Sequence, residues 1–562
     1  MGPRSNDEMK QTRRLVWFIL STVLLCALLG GVYGRRVEAT TDGGDDSDVR
    51  ASLNAFTRAF DAVEQNYAEP IDPDKALFGP DGATTIGAIP GMLRTLDPHS
   101  NFFDTTAFTR LRDDQEGKYY GVGMRIQTFP GKMGKLTTIV IEPMAGSPAI
   151  RAGLRPGDVV VKVDGKPTEG LDGDKVAALL KGPKGTVVKV TVTREGSAEP
   201  IDFVITRDEI SGLSINSAYM IRPGIGYIRI TKFNETTSDE LTKALKDLGA
   251  KNLKGLILDL RNNPGGLLNE AVGVSDHFLE KNQLIVYHYG RHNPEKRYYA
   301  THGDRGAEYP MVVLINHNTA SAAEIVTGAV QDHDRGLVMG EPSFGKGLVQ
   351  TVYPLSERTG LALTTAHYYT PSGRLIQRPY DNVSLYDYYY GGENAPAPHT
   401  EVRLTDGGRE VYGGGGITPD VRVDEGKPNS VEGKLSGFCG DFLQCGAFFE
   451  YGKSYLGVHK TISRDFTPGD DVVKDFQGYM GKHGLTLSDK EVAENAQFIK
   501  DHIQDVLVGM VYGDDEARKM EYGVDQDPLV RKALESLPKA QDLLAHVRKY
   551  IASRSAAASL NR

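Results

Sequence analysis

From Leu15 to Tyr33 the chain carries no charged residue, and the run LVWFILSTVLLCALLGGVY is just long enough to cross a bilayer. Arg4, Lys10, Arg13 and Arg14 precede it, and after Arg35 and Arg36 come Glu38, Asp42, Asp45, Asp46 and Asp48. That polarity leaves a short cytoplasmic N-terminus (1–14) and puts the bulk outside. Residues 15–34 therefore read as an uncleaved anchor in the inner membrane, with the remainder periplasmic or extracytoplasmic. A cleaved signal peptide, with Val32 and Gly34 as small residues at the cleavage point, is the second reading, and it too exports the chain.

An acidic, glycine-containing stretch follows (35–47) and reads as a linker. Leu53, Phe56, Phe60, Val63 and Tyr67 then recur on one helical face and open a mostly helical region over 48–118. From 119 to 207 the pattern changes to short β runs broken by glycine, among them TTIVIE (137–142) and TVVKVTVT (186–193), in which Val188, Val190 and Val192 alternate with polar residues. Between 208 and 425, apolar strands (GYIRIT, GLILDL, MVVLI) alternate with helical segments. Continuous apolar runs suit strands buried on both faces of a helix-covered sheet. One of the helices carries Leu241, Ala244, Leu245 and Leu248 behind an expected cap at Ser238.

The remainder, 426–562, is helical. Ser488 and Glu491 form a capping box ahead of Val492, Ala496, Ile499, Ile503, Val506 and Met510, and Asp527-Pro528 opens another helix. Such a stripe first means core packing within one subunit; homo-oligomerisation is the second reading. The sequence assigns this tail no role. The fold class is thus multidomain α/β: a helical N-terminal region, a β-rich module, an α/β core and a helical tail.

At 562 residues the chain exceeds a single compact core. A net charge of −9 offers no polycation for nucleic acid. Cys26 lies in the apolar run, so Cys439 and Cys445 are the one internal pair, and six residues apart is weak ground for a disulfide. HExxH is absent and the histidines are scattered, which predicts no metal, and nothing signals a cofactor.

The segment VVLINHNTASAAEIVTGAVQD (312–332) runs from a strand through small residues into a helix. It places Ser321 beside free helix N–H groups that favour negative charge. Taken alone, such a serine is more often an N-cap than a nucleophile. Lys346 lies 25 residues on, flanked by Gly345 and Gly347. A buried lysine becomes a base once its neutral form is favoured, although a lone lysine is ordinarily a surface charge. His317 and His333 are weaker candidates for a base. Glu324 and Asp332 read as structural, bonding backbone or arginine, and Arg261 as fixing a glycine turn.

Two resemblances sharpen this reading. Tyr120-Gly121-Val122-Gly123-Met124 resembles the carboxylate-binding loop of a PDZ domain, and SPAIRAGLRPGDVVVKVDGKP (147–167) that fold's next landmark. Gly121, Val122, Gly123 and Met124 are then expected to hold a peptide terminus beside a strand edge. In order along the chain, LDPHSNFF, LDLRNNPGGLL (258–268), NTASAAEI (318–325), GEPSFGKGLVQ (340–350), YYTPSGRLIQ (368–377) and GGGITPD (414–420) resemble the carboxyl-terminal processing peptidases, or tail-specific proteases.

That resemblance implies a core of the ClpP/crotonase-like type. It implies Ser321 as nucleophile, Lys346 as general base, and Gln350, one expected helical turn further on, as the residue orienting the amine. Gly265 or Gly266 and the Ala322 N–H would form the oxyanion hole. Substrates would be proteins with exposed C-termini, delivered in some cases by an adaptor protein, and PDZ movement would gate the site. Ala323 stands where many members have serine, and the likeness does not extend over 430–562. A catalytically silent PDZ scaffold in the cell envelope is the rival reading.

Overall fold

The structure is a computed structural model and describes residues 46–66, 72–78, 87–130, 135–144, 146–303, 309–356, 359–381, 383–390, 401–423, 431, 434–435, 447–459, 461–512 and 527–560. The expected membrane run at 15–34 and the pair Cys439 and Cys445 lie outside the described residues. The chain divides into two compact units, Met1–Leu77 and Phe78–Arg562. In the first, helix α1 (Asp46–Asn66) forms where the apolar spacing predicts one, with Leu53, Phe56 and Val63 exposed. The second unit holds everything else described below.

It begins with α2 (Ala88–Arg94), β1 (Asn101–Phe103) and α3 (Thr105–Glu116). Asp104 caps α3, its carboxylate accepting the Ala107 N–H at 2.8 Å, and Gly117 ends the helix in the left-handed region.

Next comes a small β module: β2 (Lys118–Gly121), β3 (Met124–Pro130), β4 (Leu136–Pro143), helix α4 (Pro148–Ala152), β5 (Val159–Val163), β6 (Lys166–Pro167), helix α5 (Gly173–Leu180), β7 (Val187–Thr193), β8 (Ile201–Thr206) and β9 (Asp208–Ser211). Its sheet runs β3-β4-β5-β7-β8, and β2 closes antiparallel on β9. Val188, Val190 and Val192 are fully buried in its core with Val140, Val160 and Val176, as the period-two alternation requires.

The main sheet is made of β10 (Ile215–Arg222), β11 (Ile225–Ile230), β12 (Gly255–Asp259), β15 (Met311–Ile315), β16 (Leu337–Gly340) and, beyond the hairpin of β19 (Glu401–Leu404) and β20 (Glu410–Gly413), β21 (Val421–Arg422), in that order across the sheet. Only β10 is antiparallel. Helices α6 (Thr237–Asp247), α7 (Leu268–Asp276) and α8 (Ala322–Asp332) cover one face, packing on Leu256, Leu258, Met311, Val313 and Ile315. Helix α6 starts ahead of the expected cap: Ser238 lies inside it, donating its N–H to Glu270.

A second sheet stands beside the first, made of β1 with β13 (Leu284–Gly290), β14 (Asn293–Tyr299), β17 (Leu348–Pro354) and β18 (Gly360–Tyr369) in the order β1-β18-β13-β14, with β17 also paired to β18; the short helix α9 (Leu385–Tyr390) follows.

The tail is not one extension. Helices α10 (Ala447–His459), α11 (Asp470–Lys482) and α12 (Ala496–Tyr512) enclose their own core of Tyr451, Phe476, Met480, Ile499, Ile503 and Leu507. The Ser488 capping box forms, but its helix ends at Glu494 and α12 starts anew at Ala496. Phe449 and Met510 leave this core to pack on Ile139 and Ile141 of the β module. The last helix, α13 (Pro528–Leu560), belongs to the main sheet instead: Leu529, Val530, Ala533, Leu537 and Ala540 cover Ile257, Val312 and Leu314 on the face opposite α6–α8. Gly255 admits this approach, since a Cβ there would meet Leu537 at 2.9 Å. The double-faced apolar strands thus have covers from two distant parts of the chain, and the core does not stop at residue 425.

Candidate active site

Two turns at the carboxyl ends of β12 and β15 are laced together. The Asn316 side chain accepts the Asn262 N–H at 2.9 Å, Thr319 donates its hydroxyl to Leu260 O at 2.9 Å, and the Ala320 N–H donates to Asn263 O at 2.9 Å. Ligands of open α/β sheets gather at such strand ends. From the second turn the chain enters α8 through Ser321, which has φ +55° and ψ −116°. A non-glycine residue held there is strained, and strain of this kind persists where the surroundings over-determine it.

Ser321, Ala322, Gly265, Gly266, Lys346 and Gln350 line one cavity of about 450 Å³. Its walls are largely apolar, with Phe103, Leu267, Leu268, Ile325, Leu348 and Val352 among them. Gly265 lies so close to the serine that a Cβ would sit 2.7 Å from Ser321 Cβ and 2.8 Å from Ala322 N. Its N–H is committed to Asn263 Oδ1 at 2.8 Å. Of the two glycines, Gly266 is therefore the one whose N–H remains for a ligand, together with Ala322 at the helix N-terminus.

Lys346 sits in the loop before β17. Burial lowers its ammonium below the ordinary lysine range, against Glu324 and Asp97, which pull it up. Nζ donates to Gln350 Oε1 at 3.1 Å, and Gln350 Nε2 donates to His99 O. Gln350 is on a strand, not a helical turn beyond the lysine as the four-residue spacing suggests. The bend into β17 and a register shift between Val349 and Gln350 bring the two side chains together. In this conformation the amine does not hydrogen-bond Ser321 Oγ. The Tyr368 hydroxyl lies between the carbonyls of Ser321 (3.0 Å) and Lys346 (2.6 Å), and burial pushes it well above the ordinary tyrosine range.

The other candidates fall elsewhere. His317 is turned outward to Glu341 at 3.0 Å and is mostly exposed. His333 spends one ring nitrogen on Asp406 and the other on Leu284 O, both at 2.7 Å. Asp332 pairs with the fully buried Arg374 at 2.6 Å, and Arg261 pairs with Asp259 at 2.6 Å and Asp527 at 2.7 Å.

Gly121, Val122, Gly123 and Met124 are buried. Val122 O and Gly123 O accept the N–H groups of Ala149 (2.8 Å) and Met144 (3.0 Å), and Gly123 has φ +74°. The sequence reading missed the site contacts of His99 and Tyr368; both lie in quoted motifs, LDPHSNFF and YYTPSGRLIQ, whose partners only the fold reveals.

A strained serine at a helix N-terminus and a buried lysine thus line one cavity, in a chain that also carries a separate β module. Residues 224–382 match peptidase family S41, and residues 139–194 match the PDZ domain. A carboxy-terminal-processing protease of Bartonella bacilliformis is 37% identical over 369 residues, 65% of this chain and 80% of the relative. The carboxy-terminal processing protease CtpA of Bacillus subtilis is 32% identical, over 68% of this chain and 79% of the relative. Among solved structures, the photosystem II D1 C-terminal processing protease is 29% identical, with a TM-score of 0.33, over 66% of this chain and 92% of that one. The chain belongs to the carboxy-terminal-processing protease family, peptidase family S41. It is a serine-type endopeptidase carrying a PDZ domain, so the silent-scaffold reading falls.

Proposed function

We propose that the protein is an exported, membrane-anchored endopeptidase that captures exposed C-terminal segments of proteins through its PDZ domain and cleaves them by an acyl-enzyme route at Ser321. The observation that carries the reading is the shared cavity: Ser321, a lysine whose neutral form burial favours, and two uncommitted N–H groups line the same space.

Ser321 Oγ attacks the scissile carbonyl carbon as its proton passes to Lys346 Nζ. The N–H groups of Gly266 and Ala322 hold the oxyanion, each such donor contributing roughly 10²–10³-fold in rate. The ammonium then protonates the leaving amine. Lys346 next takes a proton from the water that attacks the acyl ester, and returns it to Ser321 Oγ as the ester C–O bond breaks, which frees both the serine and the neutral amine. Gln350 holds the amine before the reaction, and the amine must rotate from Gln350 Oε1 towards Ser321 Oγ to begin it. The apolar cavity walls keep water from reprotonating it.

The test is hydrolysis of an unfolded protein by the full chain. Ser321→Ala and Lys346→Ala are each expected to abolish it, and Gln350→Ala to lower kcat by about 10²-fold. Activity surviving Ser321→Ala would sink the reading. Protease protection of membrane vesicles checks the orientation, the catalytic part being expected on the extracytoplasmic face.

A further inference from the structure

Beneath the nucleophile lies a carboxylate with no free acceptor. Glu324, fully buried in the first turn of α8, uses each oxygen twice. Oε2 accepts the N–H of Ser321 at 2.7 Å and of Lys346 at 2.9 Å. Oε1 accepts the N–H of Gly345 at 2.7 Å and the Ser343 hydroxyl at 2.5 Å. Ser343 accepts the Ile417 N–H at 2.7 Å in return, which ties the GGGITPD turn to the same anchor. A capping-box glutamate ordinarily answers to its own N-cap alone. Here three of four donors come from the loop that carries Lys346.

We propose that Glu324 is the positioning residue of the site, its carboxylate fixing the left-handed backbone of Ser321 and the backbone of Gly345 and Lys346 on one anchor so that nucleophile and base keep their separation. This rests on the reading of Ser321 and Lys346 as nucleophile and base. A neutral amide cannot replace the carboxylate: its NH2 would face two donors on one side, leaving buried N–H groups unsatisfied.

Glu324→Gln and Glu324→Asp in the full chain test this, with β-casein hydrolysis and labelling of Ser321 by a fluorophosphonate as readouts. Glu324→Gln is expected to lower kcat by about 100-fold, the scale of a misplacement near 1 Å, and to slow labelling in parallel while KM changes little. Its acid limb should also move to lower pH. The charge that favours the Lys346 ammonium is then gone, and only Asp97 still favours it, His99 facing the amine as a neutral ring. Glu324→Asp keeps the charge but shortens the reach; kcat should fall without that displacement.

Wild-type kcat in either variant overturns the proposal, as does a loss in Glu324→Gln with an unmoved acid limb. If Glu324→Gln does not fold, Glu324→Asp decides. Ser321→Ala and Lys346→Ala run alongside: hydrolysis retained in either one defeats the nucleophile-and-base reading instead, a different result from any at position 324.

Discussion

Arg261 and Asp527 lie 266 residues apart in sequence and 2.7 Å apart in the folded chain. The guanidinium also grips the buried Asp259, which accepts the Tyr227 hydroxyl at 2.7 Å. Arg261 begins the turn that ends at Gly265 and Gly266, while Asp527 opens α13 and accepts the N–H groups of Leu529 and Val530. The start of the last helix thus braces the turn beside the serine.

Asp527→Asn keeps a capping oxygen but loses the charge. It should cost about 1.5–3 kcal/mol, the range for hydrogen bonds to charged groups. Asp527→Ala should cost roughly 1 kcal/mol more through the lost cap. Denaturant midpoints of the two variants check both figures, and equal losses would show that the cap carries nothing.

Among the described residues, Ser321 is one of five non-glycine residues with positive φ. Ser321→Gly should be inactive yet more stable than the parent by about 1 kcal/mol, since glycine relieves backbone strain that an alanine at the same position keeps. Thermal unfolding of the glycine and alanine variants measures the difference; a glycine variant no more stable than the alanine one contradicts it.

For a base that works as a neutral amine, rate rises as pH rises through its pKa. Burial holds Lys346 below the ordinary lysine value of about 10.4. The acid limb of kcat/KM should therefore fall below that value. Lys346→Arg, which stays charged, should be inactive at every pH. A limb at the ordinary lysine position would show that burial does not favour the neutral form.

His99 is drawn down to about 4, chiefly by burial, with Lys346 adding to the shift and Asp97 opposing it. Its unfolded value is about 6.5. Between these values the unfolded chain holds a proton that the folded one does not, so stability falls as pH drops through that window. His99→Asn should flatten the fall, as read from unfolding midpoints between pH 4 and 6.5; an unchanged slope would remove His99 from the account.

Much of the architecture is legible along the chain because local rules act locally. Alternating valines make a strand, a double-faced apolar run demands cover on both sides, and Asp527-Pro528 starts a helix wherever it lies. The motifs around Ser321 and Lys346 are likewise readable, since each is a short continuous segment. Spacing misleads at Gln350, where four residues mean a helical turn only if the segment is helical, and β17 is a strand.

What the sequence determined by itself is therefore the kinds of element, the family and the two side chains on which chemistry is proposed. Tertiary structure alone decided that α13 covers the main sheet, that α10–α12 lean on the PDZ domain, that Gly265 spends its N–H on Asn263, and that Glu324 collects four donors. The physical reason is one of range. Helix and strand patterns are set by neighbours a few residues apart, whereas burial and hydrogen-bond satisfaction depend on groups that only the folded chain brings into contact.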